Sequence, residues 1–272
     1  MAQVLTQLTG VPRTMLMTTR ARVEEHQRAD ALFRDPKAFE WWQSIAWDSK
    51  LDRLWSPISQ LSWAVRAHIF DQMVQRHLAT HPDAVVVELG AGLSTRYYRV
   101  GQRCQCWIDL DLPAVMNLRR QLDQETAQHR LISQSALDFS WMDAVPNCPP
   151  EKLLILAEGL LMYFTLEQVQ QLIQQLRQRF PHATFLFEII GGASKGRAAK
   201  VLAELGAPMQ WLVKDEHDVD GMGLTIAQVR SLLQENCRYP DRLGALRWFT
   251  WMTKLPAFRN ASLLLEAKLL PL

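Results

Sequence analysis

The sequence predicts an α/β protein: a mostly parallel sheet with helices on both faces, preceded by an N-terminal helical cap. Three observations predict it. From His81 onward, short apolar runs alternate with helix-spaced apolar positions, the pattern of parallel strands joined by crossover helices. Several of these runs end in glycine or an acidic residue, where ligands bind on such sheets. The first eighty residues show helical spacing and no strand run. The expected division is therefore a helical region over 1–80 and a nucleoside-binding sheet domain over 81–272.

Taken in order, Thr14 to Phe33 reads as a helix ended by the turn pair Asp35-Pro36. Leu61, Val65, Ile69, Phe70, Met73 and Val74 give a later helix one apolar face. Trp41, Trp42, Trp47, Trp55 and Trp63 crowd this region, either as core anchors or as the wall of an apolar acceptor pocket. Ala84-Val85-Val86-Val87 is the first strand, and Gln105 to Leu110 the second. Pro113 opens a helix, where a missing N–H costs least. Leu131-Ile132, Leu153 to Ala157 and Thr184 to Ile190 are further strands, with Leu263-Leu264-Leu265 the last. Thr165 and Gln168 form a capping box before Val169, Leu172, Ile173 and Leu176. Thr225 and Gln228 suggest a second capping box, with a helix carrying Ile226, Val229, Leu232 and Leu233.

Composition narrows the function classes. The 272 residues are 48% hydrophobic and 21% charged, ordinary globular values. Thirty basic against 28 acidic residues leave a net charge of +2, and the charges are scattered. A nucleic-acid or anionic-membrane partner is not indicated. No secretory signal or spanning segment is read, so a cytoplasmic location is expected. Cys104, Cys106, Cys148 and Cys237 form no C-x-x-C pair; no metal site is expected. Cys104 and Cys106 would alternate on one strand and share a face.

The chemistry gathers at the strand ends. The first strand leads into Glu88-Leu89-Gly90-Ala91-Gly92, where glycine permits a tight turn close to a ligand. Thr95 stands where a dinucleotide fingerprint wants its third glycine, which disfavours NAD or FAD. The second strand ends in Asp109-Leu110-Asp111-Leu112-Pro113; either acid could accept bonds from ribose hydroxyls, and Asp111 is nearer the end. Glu158 interrupts the apolar run after the fourth strand, so it must meet a donor or a ligand. A glycine turn and two acids in this order describe a nucleoside pocket, better suited to S-adenosylmethionine than to a dinucleotide.

Together VVELGAGLSTRYYRV, WIDLDLPAVMNLRR, SALDFSWMD and EGLLMYFTLEQV resemble the leucine carboxyl methyltransferase-like family. The resemblance includes its bacterial members similar to the tetracenomycin polyketide O-methyltransferase. It also takes in RADALFRDP and AVRAHIFDQMV, and covers residues 20–180. It implies a class I, Rossmann-like methyltransferase fold, S-adenosyl-L-methionine as methyl donor and S-adenosyl-L-homocysteine as product. It implies that Glu88, Gly90 and Gly92 lie against the donor and that Asp111, with Asp109 as the alternative, holds the ribose. Ala136 and Leu137 would flank the adenine, where leucine-specific relatives carry Asp-Leu. Arg66 would pair with the donor carboxylate, a match of fork to carboxylate. Glu158 would face the donor or the reacting centre, and Tyr163 would line the acceptor pocket; these two are the catalytic candidates.

The expected activity is O-methylation of a carboxylate or hydroxyl on a small, natural-product-like molecule. A carboxylate acceptor is already ionised and needs no base, whereas a hydroxyl acceptor does. His26, His68 and His217 are base candidates without a supporting motif. The alternatives are a protein C-terminal carboxyl methyltransferase, an inactive binding module of the same fold, and a nicotinamide oxidoreductase. A nucleic-acid methyltransferase is opposed by EGLLMYF, which stands where an Asn/Asp-Pro-Pro-aromatic turn would be. The oligomeric state is not legible.

Overall fold

Five parallel strands carry the molecule: β1 Val85–Leu89, β2 Cys106–Asp111, β3 His129–Ser133, β4 Leu153–Ala157 and β5 Thr184–Ile190. Two more, β6 Leu224–Ser231 and β7 Ser262–Leu269, complete the sheet as antiparallel neighbours. The order is β3-β2-β1-β4-β5-β7-β6, as seen in a computed structural model that describes residues 8–272. The winding reverses between β1 and β4, so their carboxyl ends flank the crevice where such sheets bind ligands.

The helices are α1 Met15–Gln27, α2 Pro36–Trp42, α3 Pro57–Thr80, α4 Pro113–Leu122, α5 Leu166–Arg179, α6 Arg197–Glu204, α7 Leu232–Asn236 and α8 Pro256–Arg259. α3 starts at a Ser56–Ser59 capping box with Pro57 in its first turn. Its Leu61, Val65, Ile69, Phe70, Met73 and Val74 are buried against Val86, Leu154, Leu156 and Leu186 of the sheet. Each such side chain contributes roughly 1.5–3 kcal/mol when fully buried. The opposite face is covered by α5, whose Val169, Leu172, Ile173 and Leu176 meet a core that includes Val87, Ile155, Phe185 and Phe187. The Thr165–Gln168 capping box that starts α5 is present. No described helix is long and apolar enough to cross a membrane.

Three sequence expectations are corrected. The helix from Thr14 ends at Gln27, not at Phe33. Asp35 and Pro36 begin an element: Asp35 caps α2 by accepting the Ala38 N–H at 2.9 Å. Thr225 to Gln228 is not a capping box but part of β6. Ile226 pairs with Ala267 and Gln228 with Glu266, so Ala227 is an extra, bulged residue. The bulge inverts the alternation, and Leu224, Ile226 and Val229 all pack on the same core. A strand with such a bulge imitates helical spacing. Finally, Cys104 precedes β2 and packs in the α3-side core, whereas Cys106 faces the α5-side core. Both thiols are free.

Candidate active site

The carboxyl ends of β1, β2 and β4 open into a cavity of about 630 Å³, roofed by α1, α3, α6 and α7. The β1 turn forms its floor. Gly90 and Gly92 have φ of 65° and 54°, a region costly for residues with a Cβ. A Cβ on Gly90 would also stand 2.9 Å from the side chain of Leu160. Ala91 N–H donates to Leu110 O at 3.1 Å and ties the turn to β2.

Asp111 sits beside that turn. One carboxylate oxygen accepts the Gly92 N–H and the other the Leu112 N–H, each at 2.7 Å. Burial pushes its pKa up to about 6 against those two bonds. Each oxygen keeps a second lone pair for a ligand.

A charged lattice closes the β4 side. Glu158 accepts Arg66 Nε at 2.8 Å on one oxygen and Arg96 Nη2 on the other. Arg66 Nη1 donates to Glu188 at 2.9 Å, and Arg96 also holds Glu88 and Asp71. Burial pushes Glu158 upward, but Arg96 and Arg66 outweigh it and hold the carboxyl at about 2. Burial raises Glu88 to about 7 even beside Arg96, with the charges of Asp109 and Glu158 adding to the rise. Gly159, with φ of 64°, lets the Arg66 guanidinium lie against the backbone; a Cβ there would be 3.3 Å from both Nη atoms. The charged groups lining the cavity are Arg22, Arg66 and Arg96 against Glu88, Asp111, Glu158 and Glu188, three cations to four acids.

Residues 14–177 match the family model of leucine carboxyl methyltransferase. The chain belongs to the leucine carboxyl methyltransferase family. It is 28% identical over 265 residues to the tetracenomycin polyketide synthesis O-methyltransferase of Streptomyces glaucescens, covering 95% of this chain and 97% of that protein. It is 26% identical over 235 residues to an S-adenosyl-L-methionine-dependent methyltransferase of Gibberella zeae, covering 78% of each. Among solved structures, magnesium protoporphyrin IX methyltransferase of Synechocystis PCC 6803, with bound S-adenosylhomocysteine, is similar at a TM-score of 0.51 and 13% identity. That match covers 86% of this chain and 100% of the other, and it shows a common class I fold. The protein is an S-adenosylmethionine-dependent methyltransferase.

The residues present fit this family's donor. Its sulfonium and ammonium outweigh its one carboxylate by a single positive charge, and the lining sets four carboxyl groups, Glu88 only partly ionised near neutrality, against three guanidiniums. Of the residues expected from sequence, Arg66, Glu88, Gly90, Gly92, Asp111, Ala136, Glu158 and Tyr163 all line this one cavity. Asp109 and Leu137 are outside the lining, which corrects both expectations. Asp109 lies one pleat deeper in β2 and is consumed by Trp107 Nε1, Arg119 Nη2 and His129 Nε2 at 2.7–2.8 Å. Leu137 is turned into the core by a bend in which its N–H donates to Ser135 Oγ at 3.2 Å.

Sequence reasoning missed Arg22, Arg96 and Glu188. Arg22 donates to Leu93 O at 2.7 Å from α1, and its buried Nε has no hydrogen-bond partner among the described residues. The burial of Thr19, Arg22 and Glu25 on α1, which marks Arg22 out, is visible only in the structure. Thr95 keeps its side chain because its hydroxyl donates to Asp35 at 2.5 Å. The tryptophans divide: Trp41 is core, Trp63 lines the cavity, and Trp47 and Trp55 stack beneath Arg20.

Proposed function

We propose that this methyltransferase acts on an oxygen of a small, largely apolar, natural-product-like acceptor. One observation carries the reading: beyond the charged lattice, the same cavity is walled by Met17, Trp63, Phe164, Leu202, Met209 and Leu232. The region over 1–80 supplies Met17 and Trp63 and so acts as the acceptor-side cap. The Streptomyces relative's name, which places that O-methyltransferase in polyketide synthesis, supports the same reading.

Gly90, Gly92, Asp111, Ala136 and Arg66 would hold S-adenosylmethionine, which supplies a methyl group on a sulfonium leaving group. The protein's own task is alignment and exclusion of water. Glu158, held at about 2 by two guanidiniums, is a poor proton acceptor near neutrality. Burial raises Tyr163, so it remains a phenol that can donate a hydrogen bond to the acceptor. We assign both to positioning rather than proton transfer. No histidine lines the cavity among the described residues: His68 contacts Gln72, His26 accepts the Asp35 N–H, and His217 is exposed.

The test is transfer of labelled methyl from the donor to cell extract. Label in small molecules is expected, base-labile for an ester and base-stable for an ether. Label that travels only with protein overturns this reading.

A further inference from the structure

One polar group in the acceptor half of the cavity stands apart. Asn236, the last residue of α7, lines the cavity and is only 3% exposed. Its Nδ2 donates to Ser62 Oγ of α3 at 2.8 Å. Its Oδ1 is buried and has no hydrogen-bond partner among the described residues. Other polar side chains of this wall are used internally: Thr14 and Thr18 bond main-chain carbonyls, Ser194 bonds Ala261 O, and Ser262 bonds Glu188. An unsatisfied buried carbonyl costs roughly 1–3 kcal/mol, which a ligand donor would recover.

Ser62 accepts from Asn236 through one lone pair, and its own proton has no acceptor among the described residues. The pair therefore offers one donor, the Ser62 O–H, and one acceptor, Asn236 Oδ1, which is fully covered in this structure and is opened to a ligand only by a shift of the amide. A hydroxyl group has the complementary set, being donor and acceptor at once. A carboxylate or a methyl ether can only accept, and would leave Oδ1 unpaired. Ser62 is one helical turn before Arg66 on the same face of α3, about 6 Å away by helix geometry. The pair thus adjoins the charged lattice from the acceptor side.

We propose that Asn236 and Ser62 form a subsite that recognises a neutral hydroxyl on the acceptor, so that the preferred substrates are hydroxylated apolar molecules, phenols in particular. This rests on the small-molecule reading above and narrows it. A site built to bond a hydroxyl discriminates strongly against analogues that lack it.

The test uses enzyme saturated with S-adenosylhomocysteine, titrated calorimetrically with 2-naphthol, 2-methoxynaphthalene and 2-naphthoate. 2-Naphthol is expected to bind at least about tenfold more tightly than either analogue. Asn236→Leu should reduce that preference to about onefold while affinity for S-adenosylhomocysteine stays unchanged, a split that general loss of structure would not produce. Ser62→Ala, which keeps the helix, should lower the preference in part. Failure of 2-naphthol to bind, tighter binding of 2-naphthoate, or a preference that survives in both variants overturns the subsite. Labelled transfer to small molecules would still stand in those cases, whereas label confined to protein would overturn the functional reading itself.

Discussion

Arg66, three turns into α3, donates its Nε to Glu158 at the end of β4 across 92 residues of sequence, at 2.8 Å. This bond joins α3 to the sheet in the lining of the cavity. It leaves Glu158 ionised and sets the guanidinium at the carboxyl end of β4, with Nη1 spent on Glu188 and Nη2 bonded to no described residue.

Removing that guanidinium should separate two effects. Arg66→Ala leaves Glu158 and Glu188 short of a partner in a buried site, and should cost about 3–5 kcal/mol of stability in urea unfolding. It should also weaken S-adenosylhomocysteine at least about tenfold while weakening 5′-methylthioadenosine much less, because the latter lacks the carboxylate. Equal losses in calorimetry would take Arg66 out of donor recognition.

Asp111 predicts a pH dependence. Burial raises its pKa from the ordinary carboxylate value to about 6, and ribose hydroxyls would donate to its ionised form. Affinity for S-adenosylhomocysteine should rise as pH climbs through about 6 and level off above 7. The stability contribution has the opposite sign. It is complete below the unfolded-state pKa of 3.8 and is lost as pH rises through about 6, because the unfolded chain gives up this proton first. Asp111→Ala should weaken binding at least about tenfold at neutral pH, and Asp111→Asn should remove the acidic limb. A limb that persists in Asp111→Asn belongs to another group.

Gly159→Ala probes backbone geometry in the same lattice. The left-handed φ of 64° costs an alanine roughly 1–2 kcal/mol, and the new methyl would meet the Arg66 guanidinium at 3.3 Å. Lower stability together with weaker binding of S-adenosylhomocysteine is expected. Lower stability with unchanged binding would show that this glycine does not set the position of Arg66.

The β6 bulge makes a sharper forecast. Deleting Ala227 restores simple alternation and keeps Leu224, Ile226 and Val229 on the covered face, so the cost should stay below about 1.5 kcal/mol. A helix would instead rotate every following side chain by 100°. A loss above about 3 kcal/mol in urea unfolding would contradict the strand.

Much of the fold was legible because its strands are apolar runs buried on both faces. Val85 to Val87, Leu153 to Ala157 and Thr184 to Ile190 stand out without tertiary information. The glycine turn and Asp111 were legible for a related reason, since residue types at the ends of strands report what the backbone must approach. β6 was not, because a bulge erases the period that identifies a strand.

By itself, then, the sequence determined the alternation of strands and helices, the glycine turn that follows β1, and the family. Only the tertiary structure decided which charges share the cavity. Asp109 and Asp111 are two residues apart and alike in sequence, yet Arg119 and His129 consume the first and leave the second to the cavity. Arg22, Arg96, Glu188 and Asn236 come from four distant stretches and carry no shared motif. Their roles follow from which oxygen each nitrogen reaches, and that depends on distances in space rather than on order along the chain.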